Sequence, residues 1–91
     1  MGDQVARRYM VERYLPGTTR AELRAAERRV ADAVATVRAG GMPLVYLGST
    51  FVPEEETSFA QFEGVLEGVE RACRLAGLGF ARIVEVEEVE P

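Results

Sequence analysis

The sequence contains no histidine, no tryptophan and no lysine, and its single cysteine is Cys73. Without histidine, the chain lacks the commonest general base and metal ligand, and Cys/His zinc sites are excluded. One cysteine cannot form a disulfide framework, and a phosphate loop that depends on lysine is excluded by composition alone. The side chains that remain for chemistry are carboxylates, arginines and hydroxyls.

The 91 residues suffice for a single domain with one core. Hydrophobic residues make up 47% of the chain and charged residues 29%, which is typical of a globular protein and not of a disordered one. We predict one domain over 1–91, with a flexible N-terminal segment over 1–6. No segment approaches the roughly 20 apolar residues of a membrane span, and the start has no signal-peptide core. These features, with the lone cysteine, predict a cytoplasmic protein without a membrane partner.

The charge is unevenly distributed along the chain. Residues 1–45 contain eight arginines and five acidic residues, a balance of +3, whereas residues 46–91 contain three arginines and ten acidic residues, a balance of −7. The sum is the net charge of −4. An acidic protein lacks the clustered basic face that nucleic acid requires, so no nucleic-acid partner is predicted.

Hydrophobic periodicity predicts the element order βαββαβ, with strands over 7–15, 43–52, 57–63 and 80–89 and helices over 20–39 and 65–76. Thr19 and Glu22 match a capping box, Gly40 and Gly41 end the first helix, and Gly48 indicates a bulge in the second strand. Two right-handed crossovers around a hairpin give an α+β, ferredoxin-like fold. In that fold a four-stranded antiparallel sheet of order 4-1-3-2 carries both helices on one face.

Both faces of this predicted sheet carry apolar side chains. In the second strand, strict alternation places Leu44, Tyr46 and Val52 on one side and Val45, Leu47 and Phe51 on the other. A solvated face would alternate more cleanly, and monomers rarely expose apolar patches above a few hundred Å². We therefore predict a homodimer of the dimeric α+β barrel type, with the two sheets face to face. A monomer with mixed strand faces is the alternative.

Three features invite a chemical interpretation that their context does not favour. Cys73 lies in the apolar stripe of the second helix without a base, so core packing is the preferred interpretation. The tripeptide 48–50, Gly-Ser-Thr, precedes a hairpin, whereas phosphate loops precede a helix. The glutamates of 54–56 and 85–90 lack the spacing of a calcium loop and are predicted to be solvated. No catalytic residue, metal ligand or cofactor is assigned.

The candidate ligand site consists of polar residues that interrupt apolar strands, namely Glu12, Tyr46 and Ser49. If the sheet is covered on both sides, such groups become buried and need hydrogen-bond partners. Concave sites with a few convergent polar groups are where small molecules bind, so we predict a pocket lined by these three residues. The alternative is that the polar residues pair with one another, Glu12 with Arg82 or Arg13 with Glu63.

Three stretches, 9–17, 46–54 and 78–85, resemble the small bacterial proteins related to the nickel-responsive protein of actinomycetes. The resemblance extends from about Arg8 to Val89, and it implies a ferredoxin-like fold, a homodimer and nickel binding in some relatives. Metal-binding relatives are expected to have a histidine in the second strand, where this chain has none, so no ligand residue is transferred. Ser58 stands where the family commonly has cysteine.

Three hypotheses for function follow. The preferred one is a non-enzymatic dimeric module that binds a small molecule or a metal. The second is a cofactor-free dimeric α+β barrel enzyme, of the monooxygenase or isomerase type, in which Glu12 or a tyrosine acts as general acid or base. It depends on fold analogy alone. The third is an assembly role in which the acidic C-terminal half contacts a basic partner.

Overall fold

Six regular elements follow one another in the order βαββαβ within residues 6–91, the part of the chain that the computed structural model describes. They are β1 (Arg7–Tyr14), α1 (Arg20–Ala39), β2 (Leu44–Val52), β3 (Thr57–Gly64), α2 (Leu66–Leu75) and β4 (Arg82–Val86). A short 3₁₀ turn, Pro53–Glu55, joins β2 to β3. Apart from Ala6, the predicted flexible N-terminal segment lies outside the described residues.

The four strands form one antiparallel sheet in the order β2-β3-β1-β4. This is the predicted order read from the opposite edge, and it confirms the ferredoxin-like α+β fold. Both helices pack on the same face of the sheet, where their apolar stripes share one core with Val11, Ala60 and Phe62. We call this side of the sheet the covered face and the other side the open face.

The ends of α1 are set by side chains and by glycine. The Glu22 backbone N–H donates to Thr19 Oγ1 at 3.1 Å, and the Thr19 N–H donates to Glu22 Oε1 at 2.9 Å, so the predicted capping box is present. After Ala39 the chain leaves the helix through Gly41, whose φ of +96° lies in the region that favours glycine. The buried stripe between these ends is Ala26, Val30, Ala33, Val34 and Val37.

A bulge interrupts β2, as the glycine there predicted. Tyr46 pairs with Phe62 and Gly48 pairs with Gln61, which leaves Leu47 as the extra residue. Gly48 has a φ of +107°, which side chains with a Cβ rarely adopt. The predicted side assignment of the second strand was therefore wrong beyond this point, because the extra residue reverses the alternation. Phe51 lies on the covered face, opposite buried Ser58, and Val52 lies on the open face.

The predicted fourth strand, 80–89, was too long, since β4 extends only over Arg82–Val86. It is an edge strand that pairs with β1 alone, and its last pair joins Val86 to Arg8. Because β1 begins at Arg7, which would lie opposite Glu87, residues beyond Glu87 pass the end of the only strand that pairs with β4. Residues 79–81 lead into β4, and the Ala81 N–H donates to the Glu12 backbone carbonyl at 2.8 Å.

The core lies between the covered face and the two helices. Its fully buried side chains include Val11, Leu44, Phe62 and Val69. Cys73 belongs to this core with 1% of its surface exposed, which agrees with the packing interpretation. In residues 6–91, neither helix has the length and apolar composition needed to cross a bilayer.

Candidate functional site

A hydrogen-bonded trio links β2 to α1 on the covered face. The Tyr46 hydroxyl donates to Glu27 Oε2 at 2.6 Å, and the Ser49 hydroxyl lies 2.5 Å from the same Tyr46 oxygen. A tyrosine hydroxyl has one proton, which is committed to the carboxylate, so Ser49 donates to Tyr46. The bulge makes this possible, since residues three apart in a regular strand would face opposite sides.

This arrangement keeps Tyr46 protonated. Burial raises the pKa of Tyr46, and the hydrogen bond to the Glu27 carboxylate raises it further, because loss of the proton would place two anions together. The ring is fixed by a tilted contact with Phe62, with 5.0 Å between the ring centroids. The trio therefore holds a fixed set of hydrogen-bond donors and acceptors.

An inner cavity of about 210 Å³ lies beside the trio, between the sheet and α1. Its lining combines apolar and polar side chains, which are Arg13, Leu23, Glu27, Ser49, Phe51 and Ser58. A larger outer groove of about 440 Å³ extends along the end of β1 and the first turns of α1. Arg13 and Leu23 belong to the lining of both spaces, so they mark the boundary between them.

Arg13 is a buried cation at this boundary, with only 7% of its surface exposed. It follows Val11 on the covered face of β1 and pairs with Ser58 on β3. Its buried Nε has no hydrogen-bond partner among residues 6–91. Burial lowers the pKa of Arg13, and the nearby Arg29 guanidinium lowers it further. The charge nevertheless persists at neutral pH, since a guanidinium does not lose its proton there.

The structure separates the three predicted site residues. Tyr46 and Ser49 lie together on the covered face. Glu12 lies on the open face, because it alternates in β1 with Val11 and Arg13, which lie on the covered face. Glu12 accepts a hydrogen bond from Arg82 Nε at 2.7 Å, which is one of the two pairs weighed from the sequence. The other pair, Arg13 with Glu63, was wrong because these residues point to opposite faces.

Two residues of the site were missed at the level of sequence. Glu27 was not assigned a role from the sequence, and Arg13 was considered only as a partner for Glu63. The alternation of β1 contained the necessary signal, because Tyr9, Val11 and Arg13 share one face of a regular strand. An arginine in register with two core residues is a candidate buried cation.

The other features considered from the sequence bring no further groups to the site. Burial raises the pKa of the Cys73 thiol to about 11, so the thiolate is scarce at neutral pH. Glu54 and Glu55 lie in the exposed 3₁₀ turn, and Glu85 pairs with Arg7 at 3.1 Å. Within residues 6–91, no three His, Cys, Asp or Glu side chains are grouped as a metal ion would require.

Comparison with protein families finds no match for this sequence, and comparison with curated proteins finds none either. The structure is similar to the crystal structure of SCO4226 from Streptomyces coelicolor A3(2). The superposition covers 91% of this chain and 99% of SCO4226, with a TM-score of 0.76 and 20% sequence identity. At this identity the similarity establishes the shared fold.

Proposed function

We propose that this protein is a non-enzymatic module that binds a small molecule in the inner cavity. The observation that supports this most is the lining of the cavity, where Glu27 and Ser49 are held in place by Tyr46 while Leu23 and Phe51 provide apolar walls. Apolar walls with a few fixed polar groups are typical of ligand sites. Polar groups that are already positioned also reduce the entropy lost on binding.

The size of the cavity limits the ligand. At roughly 30 Å³ for each water-sized unit, about 210 Å³ accommodates roughly seven non-hydrogen atoms. A longer ligand would extend past Leu23 into the outer groove. We therefore expect a small metabolite and not a nucleotide or a peptide.

A binding role is favoured over catalysis because the groups that catalysis would use are engaged. The enzymatic hypothesis named Glu12 or a tyrosine as general acid or base, and the Glu12 carboxylate accepts from Arg82 at 2.7 Å on the opposite face of the sheet. Tyr46 donates to Glu27 and has a raised pKa. The buried, unpaired Cys73 is consistent with the proposed cytoplasmic location, where thiols stay reduced.

The test is a thermal-shift screen with small metabolites, both neutral and charged, and with divalent metals including nickel, followed by calorimetry of each positive. A ligand of the folded state raises the melting temperature with concentration, as mass action requires. In Leu23→Trp, the indole fills the boundary between cavity and groove and should abolish the shift. Leu75→Trp adds the same ring at an exposed position of α2 and should retain it. No shift with any compound, or equal shifts in both variants, would contradict the proposal.

We also propose that the protein is a homodimer through its open face. Met10, Phe59, Val84 and Val86 lie on that face, and Val45 beside them is 44% exposed. A second copy related by a two-fold axis would cover these side chains. The resemblance to the nickel-responsive protein family supports the same proposal, because that family implies a homodimer.

Sedimentation equilibrium tests the dimer, because the 10.0 kDa chain should sediment as a species of about twice that mass. Met10→Glu would place a charge from each copy within the proposed interface and should give a folded monomer. Ala21→Glu adds the same charge on the exposed start of α1 and should stay dimeric. A monomeric unmodified protein at micromolar concentration would contradict this proposal.

A further inference from the structure

The strongest unexplained feature of the molecule is the guanidinium of Arg13. It is more than nine-tenths buried, it lines the inner cavity, and its Nε lacks a hydrogen-bond partner within residues 6–91. A buried charge without a partner is costly, and arginine cannot avoid the cost by losing its proton. Folded proteins usually pair such a buried charge with a group of opposite charge.

The carboxylates that share the cavities with Arg13 are already committed. Glu22 closes the capping box at the start of α1. Glu27 accepts a hydrogen bond from the Tyr46 hydroxyl at 2.6 Å. Neither forms an ion pair with Arg13, and no other carboxylate in residues 6–91 does. Glu27 is close enough to favour the Arg13 charge, but no carboxylate of the described residues lies within ion-pair distance of it.

We propose that Arg13 anchors the carboxylate of a small organic acid in the inner cavity. This inference rests on the proposed binding function and names the chemical class of the ligand. A carboxylate matches the planar fork of a guanidinium, which donates two parallel hydrogen bonds to it. The ligand then supplies the hydrogen-bonded ion pair that Arg13 lacks within residues 6–91.

A second cation supports an anion at this position. Arg29 lines the outer groove together with Arg13, and its Nε donates to the Ala76 carbonyl at 3.0 Å, which fixes the side chain. The two guanidiniums repel each other, and neither forms an ion pair within residues 6–91, so an anion between them would relieve that repulsion. The exposed Arg29 also attracts anions from solution toward the entrance.

The walls distinguish an organic acid from inorganic phosphate. Leu23 and Phe51 line the inner cavity, and Leu15, Pro16 and Ala26 line the outer groove. These surfaces gain free energy from contact with a hydrocarbon chain and none from a bare phosphate. The inner cavity accommodates roughly seven non-hydrogen atoms, which corresponds to a short monocarboxylate such as butyrate.

The experiment compares butyrate with butanamide, which has the same size and shape but no charge, and with inorganic phosphate. Binding is followed by the NMR chemical shift of the Arg13 side-chain Nε–H, which reports on the proposed contact itself. We expect a saturable shift with butyrate, at most a tenth of that affinity with butanamide, and weaker binding of phosphate. Phosphate binding as tightly as butyrate would overturn the assignment to a carboxylate.

Two matched variants locate the anion. Arg13→Met removes the charge at nearly constant volume and should weaken butyrate binding on the order of tenfold to a hundredfold. Arg28→Met removes the same charge from an exposed position of α1 and should bind as the unmodified protein does. If Arg13→Met fails to fold, Arg13→Lys takes its place, because it keeps the charge without the fork and should still bind more weakly.

The outcomes separate this inference from the proposed function. Equal binding of butyrate and butanamide, or unchanged affinity in Arg13→Met, would overturn the carboxylate inference and leave the cavity as a ligand site. Failure of every neutral and charged compound in the screen would overturn both. Butyrate-specific binding that is lost in Arg13→Met and retained in Arg28→Met would support both.

Discussion

Glu12 and Arg13 are neighbours in β1 with opposite charges, yet the fold gives them opposite environments. Glu12 lies on the open face, where it forms an ion pair with Arg82 across to the edge strand. Arg13 lies on the covered face, buried against the helices and without a carboxylate partner in residues 6–91. The face of the sheet, and not the adjacent residue, therefore decides which groups can neutralise a charged side chain in a strand. Oppositely charged neighbours in a strand cannot neutralise each other, because they point apart.

The same contrast holds for the two faces as wholes. The covered face is closed by α1 and α2 and carries the trio and the inner cavity. The open face carries partly exposed apolar side chains and surface ion pairs such as Arg8 with Glu88. Burial on the covered face should therefore contribute more to the free energy of unfolding than burial on the open face does.

The largest difference is expected between two phenylalanines of β3. Phe62→Ala empties a fully buried position on the covered face and should lower the free energy of unfolding by about 3–5 kcal/mol. Phe59→Ala removes the same ring from the open face, where it is half-buried, and should cost the monomer only about 1–2 kcal/mol. Urea denaturation of both variants measures the two values. Equal losses would contradict the contrast between the faces.

The second largest effect is expected at alkaline pH, which should lower the free energy of unfolding through Cys73 on the covered face. The folded state raises the pKa of Cys73 from 9.0 to about 11, so the unfolded chain loses this proton first as the pH rises. The stabilisation is complete below pH 9 and is lost as the pH passes through 11, on the order of 3 kcal/mol in all. Urea denaturation between pH 8 and 11 measures it. Cys73→Ala should reduce the change in the free energy of unfolding between pH 8 and 11. An unchanged pH dependence in that variant would mean that another group causes it.

The neighbours of β1 should respond to loss of charge with opposite signs. Arg13→Met removes an unpaired buried charge and should raise the stability of the ligand-free protein by about 1 kcal/mol. Glu12→Gln breaks a partly exposed ion pair and should lower it by less than about 1 kcal/mol. Thermal denaturation without added anions tests whether stability rises in Arg13→Met and falls in Glu12→Gln. Strong destabilisation by Arg13→Met would mean that the protein itself supports the guanidinium.

The smallest effect concerns the trio. Tyr46→Phe removes the donor to Glu27 and the acceptor for Ser49, and it should cost about 1 kcal/mol. Tyr14→Phe removes a hydroxyl from a residue that is 64% exposed and should change stability by less than about 0.5 kcal/mol. Chemical denaturation distinguishes the two, and indistinguishable values would mean that the trio adds nothing to stability.

Most of the fold was predictable because it is recorded in local signals. The capping box at Thr19, the glycines after α1 and the alternation in β1 each depend on residues close together in sequence. The element order and strand order followed from these signals and from the handedness of crossovers. Gly48 indicated the bulge from the sequence. Which face of the sheet Phe51 occupies depended on the register with β3, which the sequence did not specify.

The candidate site was less predictable because it depends on long-range placement. Tyr46 and Ser49 were identified from their polarity within an apolar strand. Glu27, which binds Tyr46, comes from α1, and no local pattern specifies that contact. The isolation of Arg13 depends on which carboxylates remain uncommitted after the whole chain has folded.

The single extra residue in β2 has a consequence for how this protein tolerates changes in length. Deleting Leu47 would remove the bulge and restore regular alternation, with Ser49 and Phe51 still opposite Ala60 and Ser58 on the covered face. Deleting Thr50 instead would move Phe51 opposite Phe59 on the open face, so the inner cavity would lose its aromatic wall although Phe51 remains in the sequence. The spacing of these residues along the backbone is as much a determinant of the site as their identity.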